Sequence, residues 1–180
     1  PLTVITDEKA FYSFLTFISG AKKTLKLFHY SCYMQVRSYF YNTVYVPFRD
    51  GKYEDGLNGA YNYRTYQTPA GFRRVYDYII RVLDGIVGSK GDLANNQELR
   101  NRYRIALARL DITVQYQAAR KVLVDDLAAG IRSALREISA ALQRGDVETA
   151  VRNAEALRLA LDAVLAYKIV GGKEEEEEFL

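Results

Sequence analysis

The amino-acid sequence predicts an all-α protein with an N-terminal helical arm and a C-terminal helical bundle or hairpin. Apolar residues recur at helical spacing along most of the chain. Residues 97–144 are rich in strong helix formers and contain no proline. Residues 144–146, Arg-Gly-Asp, have the composition of a helix stop followed by a restart. With 180 residues, 49% of them hydrophobic, we expect one sizeable core and one domain with an appended arm.

Two helices are predicted in the arm. The first begins after Thr6, a capping residue with acidic residues in the following turn, and ends at Gly20. The second runs from residue 21 to about residue 41. Its apolar stripe consists of Leu25, Phe28, Cys32, Val36 and Phe40, and its polar stripe of Lys22, Lys26, His29, Tyr30, Tyr33 and Arg37. Strands at residues 25–33 and 43–48 are the alternative, because both stretches are rich in β-branched and aromatic residues.

Residues 42–68 are predicted to form a long irregular connector. The residues that interrupt it are Pro47, Gly51, Gly56 and Gly59. Thr68 and Pro69 then mark the start of a helix that is expected to end near Gly88. Its predicted buried stripe is Phe72, Val75, Ile79, Val82, Leu83 and Ile86. A second connector is predicted over residues 89–96.

The C-terminal half predicts further helices. Residues 97–144 are too long for one ordinary helix, so we expect a break at residues 112–114 or 125–130. Asp146 should cap a last helix that ends near Ile169 and forms an antiparallel hairpin with the preceding one. The residues that should face the partner helix are Val147, Ala150, Ala154, Leu157, Leu161, Val164 and Leu165.

An acidic tail follows the predicted bundle. Residues 174–178 are all glutamate, and Phe179 and Leu180 come after them. Such a run is usually a solvated tail. The alternative is that Phe179 and Leu180 dock on a neighbouring subunit while the glutamates contact its basic surface. The predicted organisation is therefore a basic arm and connector (1–68), a helical bundle (69–172) and an acidic tail (173–180).

The positive charge is concentrated in the first half of the chain. The formal net charge is +3, but residues 1–90 carry 12 Lys and Arg against 7 Asp and Glu, and no acidic residue lies between Lys9 and Arg49. Twelve of the fifteen tyrosines precede residue 80. Cations interleaved with hydrogen-bonding aromatics suit a phosphate and sugar surface. The alternative is a solvated basic face beside an aromatic core.

Catalytic and metal chemistry find little support in the sequence. Triads and dyads that use histidine would depend on His29, which has no evident carboxylate partner. One cysteine, Cys32, excludes an internal disulfide, and one thiol with one imidazole cannot form a structural zinc site. Acidic residues near Gly51 lack the spacing of a calcium loop. Residues 85–91 lack the order of a phosphate-binding loop. We expect a protein that is not an enzyme and that has no cofactor and no metal site.

One segment resembles a known family. Residues 66–76, YQTPAGFRRVY, with the amphipathic continuation to Gly88-Ser89, resemble part of the major coat proteins of rod-shaped and filamentous archaeal viruses, including rudivirus-, lipothrixvirus- and tristromavirus-like members. Those proteins place a tyrosine, a short Thr/Gly/Pro turn, an arginine and an aromatic before such a helix. The family places Gly-Pro directly before the arginine, whereas Pro69 here precedes Ala70, so either Arg73 or Arg74 is the equivalent position.

The resemblance implies a virion protein, made in the host cytoplasm, whose N-terminal helices wrap linear double-stranded DNA in the A form while its C-terminal helices build the filament wall. Such a coat binds every sequence through phosphates and sugars. It also implies self-association or a paralogous coat subunit. A membrane envelope is compatible with the family but is not indicated by the residues. The nucleic-acid contacts that we predict are Lys22, Lys23, Lys26, Tyr30, Tyr33, Arg37, Arg49, Arg64, Arg73, Arg74 and Arg81.

Two other classes of protein fit the same composition. One is a small helical subunit of a CRISPR-type ribonucleoprotein complex, which also lines a nucleic-acid channel with basic helices. Preference for RNA or single strands would distinguish it from a coat protein. The other is a scaffold or adaptor whose acid-free window meets an acidic protein. Binding that survives nuclease treatment would indicate that class.

Overall fold

A computed structural model describes residues 37–65 and 67–170, and the regular structure in these two stretches is entirely helical. The all-α prediction is confirmed there, and the strand alternative at residues 43–48 is wrong. The helices predicted before residue 37, the alternative strand at 25–33 and the acidic tail lie outside the described residues. The helices are α1 (Phe40–Tyr45, π-helical), α2 (Val46–Arg49), α3 (Tyr53–Tyr61), α4 (Pro69–Gly88), α5 (Lys90–Asn95), α6 (Gln97–Ala119), α7 (Asp125–Arg144), α8 (Val147–Val164) and α9 (Leu165–Val170, π-helical).

The turn between α7 and α8 forms as the sequence predicts. Gly145 adopts φ +76°, the left-handed conformation that closes a helix C-terminus at little cost for glycine. The Asp146 side chain accepts a hydrogen bond of 3.1 Å from the backbone N–H of Thr149 and so caps α8. The hydrogen bonds with Thr149 lower the pKa of Asp146 from its ordinary value. α7 and α8 pack against each other on either side of this turn, which confirms the predicted hairpin.

The predicted apolar stripes of α4 and α8 form the core. α4 packs against both α6 and α8, and α7 packs between α6 and α8. On α4 every residue of the predicted stripe is buried except Val82, which is half-buried. On α8 the predicted residues from Val147 to Val164 are all buried, and Leu165 is half-buried. The helical repeat of apolar residues identified the main buried face of each helix, and α8 in addition buries Ala156, Ala160 and Ala163 outside the predicted stripe.

The connector predicted over residues 42–68 is instead mostly helical, as α1, α2 and α3. The reason lies in two glycines that were read as helix breakers. A Cβ atom on Gly59 would lie 2.0 Å from the backbone carbonyl oxygen of Thr43, and one on Gly56 would lie 2.8 Å from the Phe48 ring. Glycine at these positions lets α3 approach α1 and α2 closely. Phe40, Val44 and Tyr45 are fully buried as a result of this packing and of α7 on their other side.

The position of the break within residues 97–144 also differs from both predicted sites. α6 continues through residues 112–114, and the chain leaves the helix at residues 120–124, directly before Asp125. Lys121 adopts φ +58° there, an uncommon conformation for a residue other than glycine. The buried Gln67 side chain donates to Val122 O (2.8 Å) and accepts from Val124 N–H (2.9 Å). The break is therefore held by a residue more than 50 positions earlier. Residues 90–95, predicted as a connector, form the short helix α5.

The hydrophobic core is continuous across residue 68, where the sequence suggested a division. α3 packs on α8, and the buried Ala60 and Tyr63 belong to the same cluster as Phe72 of α4. The described residues from Arg37 onward belong to one compact unit. The segment from Phe40 to Tyr63 is consequently part of the bundle.

Candidate nucleic-acid interface

The side chain of Asp126, in the first turn of α7, accepts three hydrogen bonds from the segments that precede α4. Its carboxylate accepts from Tyr39 N–H (2.7 Å), from Phe40 N–H (3.1 Å) and from the Tyr63 hydroxyl (2.9 Å). The hydroxyl of Ser38 donates to the Asp126 carbonyl oxygen (2.8 Å). These bonds place Arg37 and Arg64, which are chain neighbours of the bonded residues, beside the start of α7.

The start of α4 reaches the same end of the bundle. Gln67 binds both sides of the loop between α6 and α7. Gly71 approaches this loop so closely that an added Cβ would lie 2.8 Å from the Val122 carbonyl oxygen. Arg73 follows two residues later on α4, while Arg120 and Lys121 stand at the end of α6. Residues from four separate parts of the chain therefore converge here.

The cations at this end outnumber the carboxylates that are free to compensate them. Arg37, Arg64, Arg73 and Arg120 are exposed, and within the described part of the chain none of them forms an ion pair. We call these four residues the basic end. Lys121 is paired with Asp125 (3.0 Å), and Asp126 is engaged by backbone and hydroxyl donors. The basic end consequently presents uncompensated positive charge to solvent.

Aromatic rings accompany these cations. Tyr39 and Tyr63 stack with ring centroids 5.5 Å apart and an interplanar angle of 12°. Tyr63 is buried, whereas Tyr39 keeps 40% of its surface exposed. Burial and the neighbouring Asp126 carboxylate raise the pKa of Tyr63. The guanidinium of Arg120 lies 5.4 Å from the centroid of the Tyr116 ring. Rings and arginines of this kind suit sugar and phosphate surfaces.

The predicted contact residues are not all placed together. Arg37, Arg64 and Arg73 belong to the basic end, and Arg81 is exposed on α4, about 12 Å further along the helix axis than Arg73. The backbone of Arg74 lies in α4, and its side chain lies outside the described residues. The other predicted contacts, also outside the described residues, are Lys22, Lys23, Lys26, Tyr30 and Tyr33.

Arg49 is separated from the other predicted contacts and already has carboxylate partners. It forms ion pairs with Asp50 (2.9 Å) and Glu137 (3.4 Å). Burial alone would lower the pKa of Arg49, but these two carboxylates raise it above its ordinary value. A phosphate at this position would have to compete with both carboxylates. We therefore leave Arg49 out of the interface that we propose.

Glu137 organises a small network around Arg49. It accepts hydrogen bonds from the hydroxyls of Tyr41 and Tyr45 as well as from Arg49. Burial, and then the Glu137 carboxylate, raise the pKa of Tyr41 to about 12 and that of Tyr45 further. On the other side of the bundle, Tyr76 donates to Asp162, and burial with this bond raises its pKa to about 12. Several tyrosines thus hold the fold together.

These raised tyrosine pKa values predict a loss of stability in alkali. Below the ordinary tyrosine pKa of about 10, the folded and unfolded chains both keep these protons. As the pH rises from about 10 towards 12, the unfolded chain releases protons that the folded chain retains, so the free energy of unfolding falls. Denaturant titrations at several pH values would measure this. Tyr76→Phe should lose less stability than the unchanged protein over that interval. Equal losses in the two proteins would contradict the assignment.

Two of the residues that build the basic end had no signal in the sequence. Gln67 is an ordinary glutamine, and Asp126 is one of two adjacent aspartates. Only the hydrogen-bond partners seen in the structure distinguish them from other residues of the same type. Arg120 lay within a run of helix formers and was not selected. The excess of cations before residue 90 was the signal used to find cations, and it missed Arg120 because Arg120 lies in the second half of the chain, where acidic residues outnumber basic ones.

Over residues 37–65 and 67–170 no group of three or more His, Cys, Asp or Glu side chains is arranged to hold a metal ion. No helix in these stretches has the length and apolarity needed to cross a membrane. Comparison of the chain with family models, with curated proteins and with solved structures finds no match.

Proposed function

We propose that this protein is a coat subunit that packages linear double-stranded DNA in a helical filament through sequence-independent contacts with the DNA backbone. The observation that carries the proposal is the basic end, where Arg37, Arg64, Arg73 and Arg120 are exposed without ion-pair partners among the described residues. Residues 1–36, which contain Lys22, Lys23 and Lys26, precede Arg37 in the sequence. The proposal assigns phosphate contacts both to these lysines and to the basic end.

The arrangement favours backbone contacts over base reading. The arginines come from a loop, a helix start and a helix end, so no single helix face carries a row of base-reading side chains. Phosphate contacts from scattered arginines fix position on a duplex and carry no sequence information. α4 also starts at this end with no acidic residue in its first turn, and a helix N-terminus favours anions.

The remaining features of the proposal follow the resemblance of residues 66–76. The DNA would be held in the A form, and the filament would form by self-association or with a paralogous subunit. The bundle supplies a rigid wall element, since its core is continuous from Phe40 to Val164. The assembled particle would be a virion.

Removing charge at the basic end should weaken DNA binding for every sequence. In Arg64→Ala with Arg73→Ala, the slope of log affinity against log salt should decrease by about 2, since each lost phosphate contact removes roughly 0.9. Fluorescence anisotropy with two short duplexes of unrelated sequence would measure it. Lys90→Ala with Arg102→Ala is the matched control, because it removes two exposed cations elsewhere. Arg102 stands about 27 Å along the helix axis from Arg120, at the other end of α6. Equal slopes for both double variants would refute the proposed interface.

Assembly provides the second test. Electron microscopy of the purified chain should show regular filaments with linear double-stranded DNA, and none without it. High salt should prevent their formation because the contacts are electrostatic. Stronger binding to RNA or single strands, in discrete particles, would indicate the ribonucleoprotein class. No response to nucleic acid would indicate a protein scaffold.

A further inference from the structure

A cleft lined by arginines lies on a different part of the bundle, between α2 and α8. It has a wider part of about 540 Å³ and a narrower part of about 400 Å³, and both are lined by Arg49, Asp50 and Arg152. We call the two parts together the arginine cleft. None of its residues belongs to the basic end, so the proposed DNA contacts leave it unexplained.

The wider part combines apolar surface with positive charge. Its apolar lining is formed by Phe48, Tyr53, Ala156 and Leu159. Tyr53 is 58% exposed and Leu159 is 42% exposed, so this surface is largely uncovered. An aromatic or aliphatic side chain placed here would bury apolar area at both residues.

The narrower part is polar. Arg144 and Arg152 line it and have no ion-pair partner among the described residues. The carboxylates of the cleft are less available. Asp50 and Glu137 share Arg49, and Glu155 is exposed at the wider part. Arg158, also in the wider part, is bound by Asp84 and Asp162. Arg144 and Arg152 are therefore the residues of the cleft that can bind an anion.

Asn153 gives an independent sign that the narrower part accepts a ligand. Its side chain is only 4% exposed, and its Oδ1 atom is buried without a hydrogen-bond partner among the described residues. A buried acceptor left unpaired lowers stability, so such atoms usually meet a donor. Asn153 is one of the residues that line the narrower part.

We propose that the arginine cleft binds residues 174–180 of a second copy of this chain. That segment is five glutamates followed by Phe179 and Leu180, which is the combination of charge and apolar groups that the cleft complements. The glutamates meet Arg144 and Arg152, and a backbone N–H of the segment donates to Asn153. Phe179 and Leu180 fill the wider part between Phe48, Tyr53 and Leu159.

The order of these two parts along α8 indicates that the bound segment comes from a second copy of the chain. The narrower part lies at residues 149–153 and the wider part at 152–159, nearer to the end of the helices at Val170. A segment that turned back from its own α9 would reach the apolar part with its glutamates first. Its Phe179 and Leu180 would then arrive among the arginines. A segment arriving from a neighbouring copy, with residue 174 at Arg144, matches both parts.

Photo-crosslinking of the full chain tests this proposal. Phe179→p-benzoylphenylalanine is prepared with ¹⁴N and with ¹⁵N, the two preparations are mixed, irradiated with and without DNA, and digested for mass spectrometry. We expect crosslinks of mixed isotope, in which residue 179 of a copy with one isotope is joined to Phe48, Tyr53 or Leu159 of a copy with the other isotope. Crosslinks within one isotope only, crosslinks elsewhere, or none in either condition would overturn the proposal.

Two double variants separate this contact from DNA binding. Arg144→Ala with Arg152→Ala, made in the photo-reactive chain, should lower the yield of mixed-isotope crosslinks about tenfold, equivalent to about 1.4 kcal/mol. Arg64→Ala with Arg73→Ala removes the same charge at the basic end and should leave the yield measured without DNA unchanged. Equal yields in both would overturn the proposal. Since the readout is protein–protein contact, it can succeed or fail independently of the proposed DNA interface.

Discussion

Replacing Gly59 with alanine should destabilise the protein by about 3 kcal/mol, although alanine is the better helix former. Gly59 lies inside α3, where its added Cβ would come within 2.0 Å of the Thr43 carbonyl oxygen. Backbone atoms cannot rotate away as a side chain does, so α3 would have to move off α1. That movement would also disturb the packing of Val44, Tyr45 and Ala60, which are fully buried. Guanidinium denaturation would measure the change as a lower midpoint with an unchanged slope.

Gly91 provides the matched control for this substitution. It lies in α5, and nothing is within 4 Å of the position that its Cβ would occupy. Gly91→Ala should therefore stabilise the protein by about 0.5–1 kcal/mol, the ordinary advantage of alanine over glycine in a helix. If Gly59→Ala behaved like Gly91→Ala, the close packing of α3 on α1 would be wrong.

Replacing Asp126 with alanine should cost about 3 kcal/mol. The carboxylate accepts hydrogen bonds from two backbone N–H groups, those of Tyr39 and Phe40, and from the hydroxyl of Tyr63. Phe40 and Tyr63 are buried, so their donors would be left with restricted access to water. The same change would release the segment that carries Arg37 and Arg64. We therefore expect DNA binding to weaken along with stability.

Asp125 is the natural comparison because it stands next to Asp126 on the same helical turn. Its carboxylate pairs only with Lys121, and both side chains are more than 70% exposed. Surface pairs of this kind contribute about 0–1 kcal/mol. Both aspartates interact similarly with the start of α7, so the difference between Asp125→Ala and Asp126→Ala isolates the three hydrogen bonds. Equal losses of stability would rule out Asp126 as the clamp between α7 and residues 38–63.

The parts of the fold that were predictable are those with a local cause. α4 begins at Pro69 and buries the predicted stripe, because a proline suited to the first helical turn and a 3.6-residue repeat are both visible in one segment. The turn at Gly145 was predictable for the same reason, since one glycine and one capping aspartate determine it. The helices of residues 40–61 were not predicted, because glycine on average disfavours the interior of a helix and the glycines of this segment were interpreted as helix breakers.

The candidate interface was predictable only in its charge. The excess of cations before residue 90 selected Arg37, Arg64 and Arg73, which are exposed, and it also selected Arg49, whose guanidinium Asp50 and Glu137 already bind. Composition gives the number of charged residues but not which of them form ion pairs with one another. One of the two partners of Arg49, Asp50, is its direct neighbour, but the other, Glu137, lies 88 positions away along the chain, beyond any local pattern.

The sequence alone therefore determined the helical class, the hairpin at residues 144–146, the apolar stripes of α4 and α8 and the location of the excess charge, because each depends on neighbours within a few turns of helix. Only the tertiary structure decided three further matters: Gly56 and Gly59 are packing contacts, Asp126 rather than Asp125 is a clamp, and Arg49 is bound while Arg64 is free of ion pairs within the described residues. Each of these depends on a residue that is distant in the chain and close in space. Which distant residues meet is determined by how the helices pack against one another.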